Sequence, residues 1–272
     1  MDNKDYREKN RAAWNQAAPV HRQQRSLDLH AAVRQPGFNV LDDVARRILG
    51  EIGVQGKRVA QLCCNNGREL ISACNMGAAG GVGFDISDAF ITEARELTAL
   101  SGAPCEFERS DVLEIPDAYN GGFDLAWMTI GALTWIEDLG ALFAVCSRLV
   151  KPGGILFLYE MHPVLDMLST PEDEEYDPQD ELKIVFPYFS HEPWVSSDGL
   201  DYIGKTTYES AESVCFPHSL SEIFTQVLRS GFRLRAFEEY AHDISAAFAH
   251  LEKYGKIPMC YTLVAEKPGH TD

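Results

Sequence analysis

The residues with the clearest chemical potential are carboxylates and a histidine placed where short apolar runs end. Asp85 closes GGVGF at residues 80–84, and Glu160 and His162 straddle the end of ILFLY at residues 155–159. An acid at the carboxyl end of a buried strand can accept two hydrogen bonds from a ribose diol. The competing reading of Asp85 is a helix N-cap. A histidine titrates near neutral pH and can accept a proton, which makes His162, with Glu160 beside it, a candidate base. Its alternative is a packed or loop-anchoring side chain next to Pro163.

The stretch that would position such groups is VAQLCCNNGREL, residues 59–70. Its apolar start is long enough for one buried strand and too short for a buried helix. It breaks at Asn65-Asn66-Gly67, residue types that tolerate left-handed backbone angles. Helical spacing resumes at Arg68. A strand, a tight turn and a helix in that order present free backbone N–H groups to a ligand, the geometry of a nucleotide-binding corner.

The remaining elements extend this unit. Helical spacing covers 6–18, ended by Pro19, and 38–52, closed by Gly53. After Asp85, Ser87 caps a helix over 88–100 that Gly102 terminates. Strands are expected at 105–109, leading to Ser110-Asp111-Val112, and at 123–128; a helix at about 138–149 then precedes the strand at 155–159. A helix at 219–230, with Gly231 as C-cap, and strands at 232–237 and 260–265 complete the chain. Single apolar strands alternating with helices predict an α/β fold, a seven-stranded parallel sheet wound on both faces. Ligands would bind at the strands' carboxyl ends. Regularity is lost over 161–213, and an insertion of that length is expected to cover a site.

Composition narrows the partners. With 24 basic against 41 acidic residues the formal charge is −17, which argues against nucleic acid and anionic membrane. The run PEDEEYDPQDE at 171–181 reads as a solvated loop. No apolar run reaches the roughly eighteen residues a membrane span needs. The charged N-terminus lacks the apolar core of a signal peptide. Seven cysteines without a CxxC pair predict free thiols in a reducing cytoplasm. His191, His218, His242 and Asp243 show no metal-ligand spacing, so no metal is expected.

With these elements in place, residues 38–266 resemble the class I S-adenosylmethionine-dependent methyltransferases, a Rossmann-like fold. The family's first motif, an acid on the first strand followed by Gly-x-Gly-x-Gly, aligns with residues 59–67. Gln61 stands at the acid, Cys63 and Asn65 at the first two glycines, and only Gly67 is retained. FDLAWMTIGALTW and LVKPGG match the fourth-strand motif and the turn before the fifth strand. EMHPVL is similar to a stretch in a bacterial small-molecule branch whose first motif is also poor in glycine.

The resemblance implies S-adenosylmethionine as cofactor. Asp85 would bind its ribose, Asp111 the adenine amino group, and Ile86 and Val112 would flank the ring. Gln61, Cys63, Asn65, Gly67, Arg68, Thr129 and Trp14 are the further cofactor candidates. Residues 1–37 would form a helical lid and 38–272 the cofactor-binding domain. Trp135, Tyr188, Trp194, Tyr202 and Tyr208 are candidates for an aromatic wall facing the substrate or sulfonium, or alternatively ordinary core aromatics. The implied activity is methyl transfer to O, N or S of a small molecule by a monomer or homodimer. Attack on the aminocarboxypropyl carbon, releasing methylthioadenosine, is the alternative chemistry; a non-catalytic binding subunit is the third reading.

Overall fold

The computed structural model of the chain describes residues 3–269. Seven strands form the central sheet: β1 (Arg58–Leu62), β2 (Gly80–Asp85), β3 (Cys105–Arg109), β4 (Phe123–Thr129), β5 (Val150–Met161), β8 (Arg233–Tyr240) and β9 (Cys260–Glu266). Two short strands, β6 (Trp194–Ser196) and β7 (Ser213–Cys215), make a separate antiparallel ribbon. The helices are α1 (Asn3–Gln24), α2 (Leu29–Ala32), α3 (Asp43–Ile52), α4 (Arg68–Asn75), α5 (Asp88–Ser101), α6 (Leu139–Leu149) and α7 (Leu220–Arg229).

The sheet order is β3-β2-β1-β4-β5-β9-β8. Chain direction along the sheet reverses between β1 and β4, and such a switch point opens a crevice at the strands' carboxyl ends. Both faces are covered. Ala60, Leu62, Phe84, Met128 and Leu158 pack with Leu142, Phe143 and Val227 of α6 and α7. Val59, Leu125, Trp127 and Phe157 pack with Ile48, Leu70 and Leu97 of α3, α4 and α5. Double coverage is why β1 is buried from Val59 to Leu62, apolar but for Gln61.

Three expectations are corrected. β9 runs antiparallel to both β5 and β8, so the sheet is not wholly parallel. Helix α1 continues through Pro19 to Gln24. Proline removes one hydrogen bond, and burial of Ala17, Ala18 and His21 offsets that loss. Helix α3 begins at Asp43, because Asp42 leaves the helix and its side chain accepts the Ala45 N–H at 2.8 Å. The caps at Ser87 and Gly102 lie where the sequence puts them.

Candidate active site

A cavity of about 470 Å³ lies at the carboxyl ends of β1, β2 and β4, beneath α1. Its floor is the turn after β1. Cys63 and Asn65 take the left-handed backbone angles of the glycines they replace, with φ of 53° and 50°. The Gly67 N–H donates to Cys64 O at 2.9 Å and closes the turn. Gly67 itself has φ +71°, and a Cβ there would sit 2.2 Å from the Phe107 ring. It shapes the corner from behind and, contrary to expectation, does not line the cavity.

Asp85 lines the cavity at the end of β2. The Asn65 N–H donates to its Oδ2 at 2.8 Å and the Ser87 N–H to its Oδ1 at 2.9 Å. Each oxygen keeps a second lone pair for a ligand. Burial pushes its carboxyl up to about 6, against the pull of those N–H groups. Asp111 also lines the cavity, with Ile86, Val112 and Leu113 as apolar neighbours. Its Oδ1 accepts the Leu113 N–H at 2.9 Å, and its Oδ2 pairs with Arg7 at 2.7 Å. A carboxylate for a diol and a second acid beside an apolar slot suit a nucleoside.

Gln61 is fully buried behind the cavity, so it is not a direct contact. Its Nε2 donates to Glu69 Oε2 at 2.7 Å, and Thr129 Oγ1 donates to the same oxygen at 2.5 Å. Glu69 and Arg68 both line the cavity, as do Cys63, Asn65 and Thr129. Burial holds the Cys63 thiol well above its usual range, so it is a neutral wall.

Helix α1 supplies Tyr6, Arg7, Asn10 and Trp14 to the cavity. The Asn10 side chain donates to Val214 O at 2.9 Å and accepts the Val214 N–H at 2.7 Å. Asn15 Oδ1 accepts from Ser87 Oγ at 2.8 Å, and Arg25 pairs with buried Glu93 at 2.7 Å. These bonds fasten α1 to α5 and to β7. The ring of Trp14 meets Trp135 edge-on at 4.9 Å and Tyr202 at 6.4 Å. Trp135 and Tyr202 therefore belong to an aromatic wall, with Phe90 and Phe216 beside them.

Five expected residues fall elsewhere. Tyr188 lies outside the cavity, and its hydroxyl accepts the Leu220 N–H at 3.0 Å. Trp194, on the β6 ribbon, is 38% exposed. Tyr208 packs over Gly199 and its hydroxyl accepts the Leu200 N–H at 3.3 Å. Glu160 is buried, and its carboxylate accepts the N–H groups of Gly131, Ala132 and Leu133 at 2.6, 2.9 and 3.1 Å. It fixes the loop after β4 instead of meeting a substrate, and burial pushes it up to about 8.

His162 is buried outside the cavity, where its Nδ1 accepts the Val164 N–H at 3.1 Å. Its Nε2 lies 3.0 Å from Glu239 Oε1 but out of line for a hydrogen bond. Burial lowers its pKa although Glu239 opposes the shift, so it is a neutral anchor, and its place outside the cavity keeps it from a ligand there. Of the insertion 161–213, only Met161 and Tyr202 reach the cavity. Among the described residues, no group of three or more His, Cys, Asp or Glu could hold a metal ion.

Residues 59–154 match the family described as "Methyltransferase domain". Over these residues the chain is similar to the methyltransferase domains. A curated relative of this chain is a ubiquinone biosynthesis O-methyltransferase from Neisseria meningitidis serogroup C, 30% identical over 109 residues. That match covers 40% of this chain and 45% of the relative, so the chain spans under half the length of the curated relatives it matches. Among solved structures, an S-adenosylmethionine dependent methyltransferase from Mesorhizobium loti is 24% identical with a TM-score of 0.60, covering 88% of this chain and 99% of that one. A geranyl diphosphate C-methyltransferase from Streptomyces coelicolor A3(2) is 14% identical with a TM-score of 0.62, covering 96% and 98%. These structural likenesses concern the methyltransferase fold.

Sequence reasoning missed Glu69, Tyr6, Arg7, Asn10 and Phe216 as cavity residues. Tyr6, Asn10 and Trp14 are spaced four apart on one helical face, a signal that was present in the sequence. Glu69 becomes visible once Gln61 is read as a lost acid with a new one eight residues on.

Proposed function

We propose that this chain uses S-adenosylmethionine to methylate O, N or S of a small molecule with an apolar or aromatic body. The observation that carries the reading is a single cavity lined by Asp85, Asp111, the 63–66 turn and the Trp14–Trp135–Tyr202 wall. The residues fit the cofactor, because both oxygens of Asp85 keep free lone pairs beside an apolar slot. When bound, the cofactor supplies an electrophilic sulfonium methyl. Asp85 would hold the ribose and Asp111 the adenine amino group, with Ile86, Val112 and Leu113 against the ring.

The aromatic wall would exclude water and offer ring faces to the sulfonium. Glu69, Asp85, Asp111, Glu137 and Asp138 are the acids that line the cavity, and no histidine lines it among the described residues. The chain would therefore act mainly by alignment and desolvation. Helix α1 is the lid of this reading, and residues 38–272 are the cofactor-binding body. The net charge of −17 supports a small-molecule acceptor over nucleic acid. Seven free thiols support a reducing cytoplasm, and among the described residues no helix is long and apolar enough to cross a membrane. The subunit state belonging to this reading is monomer or homodimer.

Titration calorimetry with S-adenosylhomocysteine tests the cofactor assignment. Asp85→Ala should cost about 1.5–3 kcal/mol, roughly 10- to 150-fold in affinity. Unchanged affinity in a folded variant would defeat it.

A further inference from the structure

The first two residues of α4 face the cavity with opposite charges, and neither has its full set of partners. Glu69 uses only Oε2 for protein bonds, to Gln61 at 2.7 Å and Thr129 at 2.5 Å. Its Oε1 accepts no hydrogen bond from a described residue. The Arg68 guanidinium is half-buried in the cavity wall and makes no hydrogen bond or ion pair to a described residue. A cation at a helix N-terminus also opposes the helix dipole, so its position is unfavourable until an anion joins it.

Behind them, Gln61 stands where the resembled family carries an acid. Its buried amide spends Nε2 on Glu69 and leaves Oε1 without a partner. The strand thus holds an amide and the helix holds the acid, so the negative charge of this corner is kept but moved into the cavity wall.

We propose that Arg68 and Glu69 form a clamp for a zwitterionic amino-acid tail, Arg68 binding its carboxylate and Glu69 its ammonium. The inference rests on the cofactor reading above and deepens it. The clamp has a chemical consequence. A carboxylate that binds the α-amine as ammonium removes the lone pair needed for cyclisation on the aminocarboxypropyl carbon. The clamp therefore favours methyl transfer over the methylthioadenosine-releasing reaction. Without the acid at Gln61 the sequence carries no such bias; Glu69 restores it.

The test compares S-adenosylhomocysteine with methylthioadenosine, which lacks the tail, on the full chain. Glu69→Gln keeps an oxygen for the Gln61 and Thr129 bonds and removes only the charge. Arg68→Met keeps the stem and removes the guanidinium. Each variant should lose about 10- to 100-fold in affinity for S-adenosylhomocysteine, with methylthioadenosine unchanged. Unchanged affinity for S-adenosylhomocysteine overturns the clamp. Equal loss of both nucleosides also overturns it, because the pair would then only support the fold. A wild-type chain that binds neither nucleoside overturns the cofactor reading itself, an outcome separate from the other two.

Discussion

Arg7 Nη1 lies 2.7 Å from Asp111 Oδ2 and so ties α1 to the carboxyl end of β3. The pair is largely buried, with side chains 22% and 14% exposed, and it sits on the cavity wall. Arg11 and Asn15 make parallel bonds to Asp88 at 2.8 and 3.1 Å. A ligand on Asp111 would share that carboxylate with Arg7. Arg7→Ala should loosen α1, lowering stability by about 1 kcal/mol and speeding both proteolysis within α1 and nucleoside release. Cleavage and release rates matching the wild type would show that α1 is not a cover.

Asp85 gives binding a pH dependence of known sign. A diol donates to a carboxylate, so the ionised form is the binding form. Its folded pKa is raised to about 6 by burial. Affinity for S-adenosylhomocysteine should therefore weaken as pH falls from 7 through about 6. In Asp85→Asn the profile should be flatter and the affinity lower. Identical profiles for the two proteins would remove Asp85 from the ribose role.

Gly67→Ala tests the corner's packing, with Gly53→Ala as control. Both glycines have positive φ, +71° and +70°, but only at Gly67 does a Cβ meet anything, the Phe107 ring at 2.2 Å. The control should cost about 1 kcal/mol from backbone strain alone. Gly67→Ala should cost about 2–4 kcal/mol, because overpacking is added. Urea unfolding that ranks the two equally would contradict the packing account.

The aromatic wall has a readout that needs no acceptor. Trp14 and Trp135 line the cavity, whereas Trp194 is on the ribbon and Trp127 is in the core. Tryptophan emission should change when S-adenosylhomocysteine binds. Trp14→Phe or Trp135→Phe should remove most of that change, and Trp194→Phe should leave it intact. A response that disappears with Trp194 would put the ligand elsewhere.

Much of the sheet was legible because its strands are short and covered on both faces. Val59 and Leu62 are 0% exposed, and such strands read as apolar runs between turns. Asp85 and Asp111 were legible as cavity residues for the same reason, Asp85 ending β2 and Asp111 lying two residues past the end of β3. What escaped was long-range. The antiparallel entry of β9 between β5 and β8 leaves no local mark, since a strand's periodicity does not record its direction. His162 and Glu160 read as a base and its partner from position alone. Backbone N–H groups of Val164 and of residues 131–133 claim them, and nothing in their own side-chain types announces that. Trp194 and Tyr208 likewise lie in an irregular segment whose path is set by contacts with distant elements.

The central claim is methyl transfer, and the nucleoside product tests it most directly. Pure enzyme would be incubated with methyl-labelled S-adenosylmethionine and a protein-free extract of small molecules, and the products separated by mass spectrometry against a no-enzyme blank. The account predicts S-adenosylhomocysteine together with label in a small molecule. Enzyme-dependent release of methylthioadenosine, with the label still on it, would contradict the account.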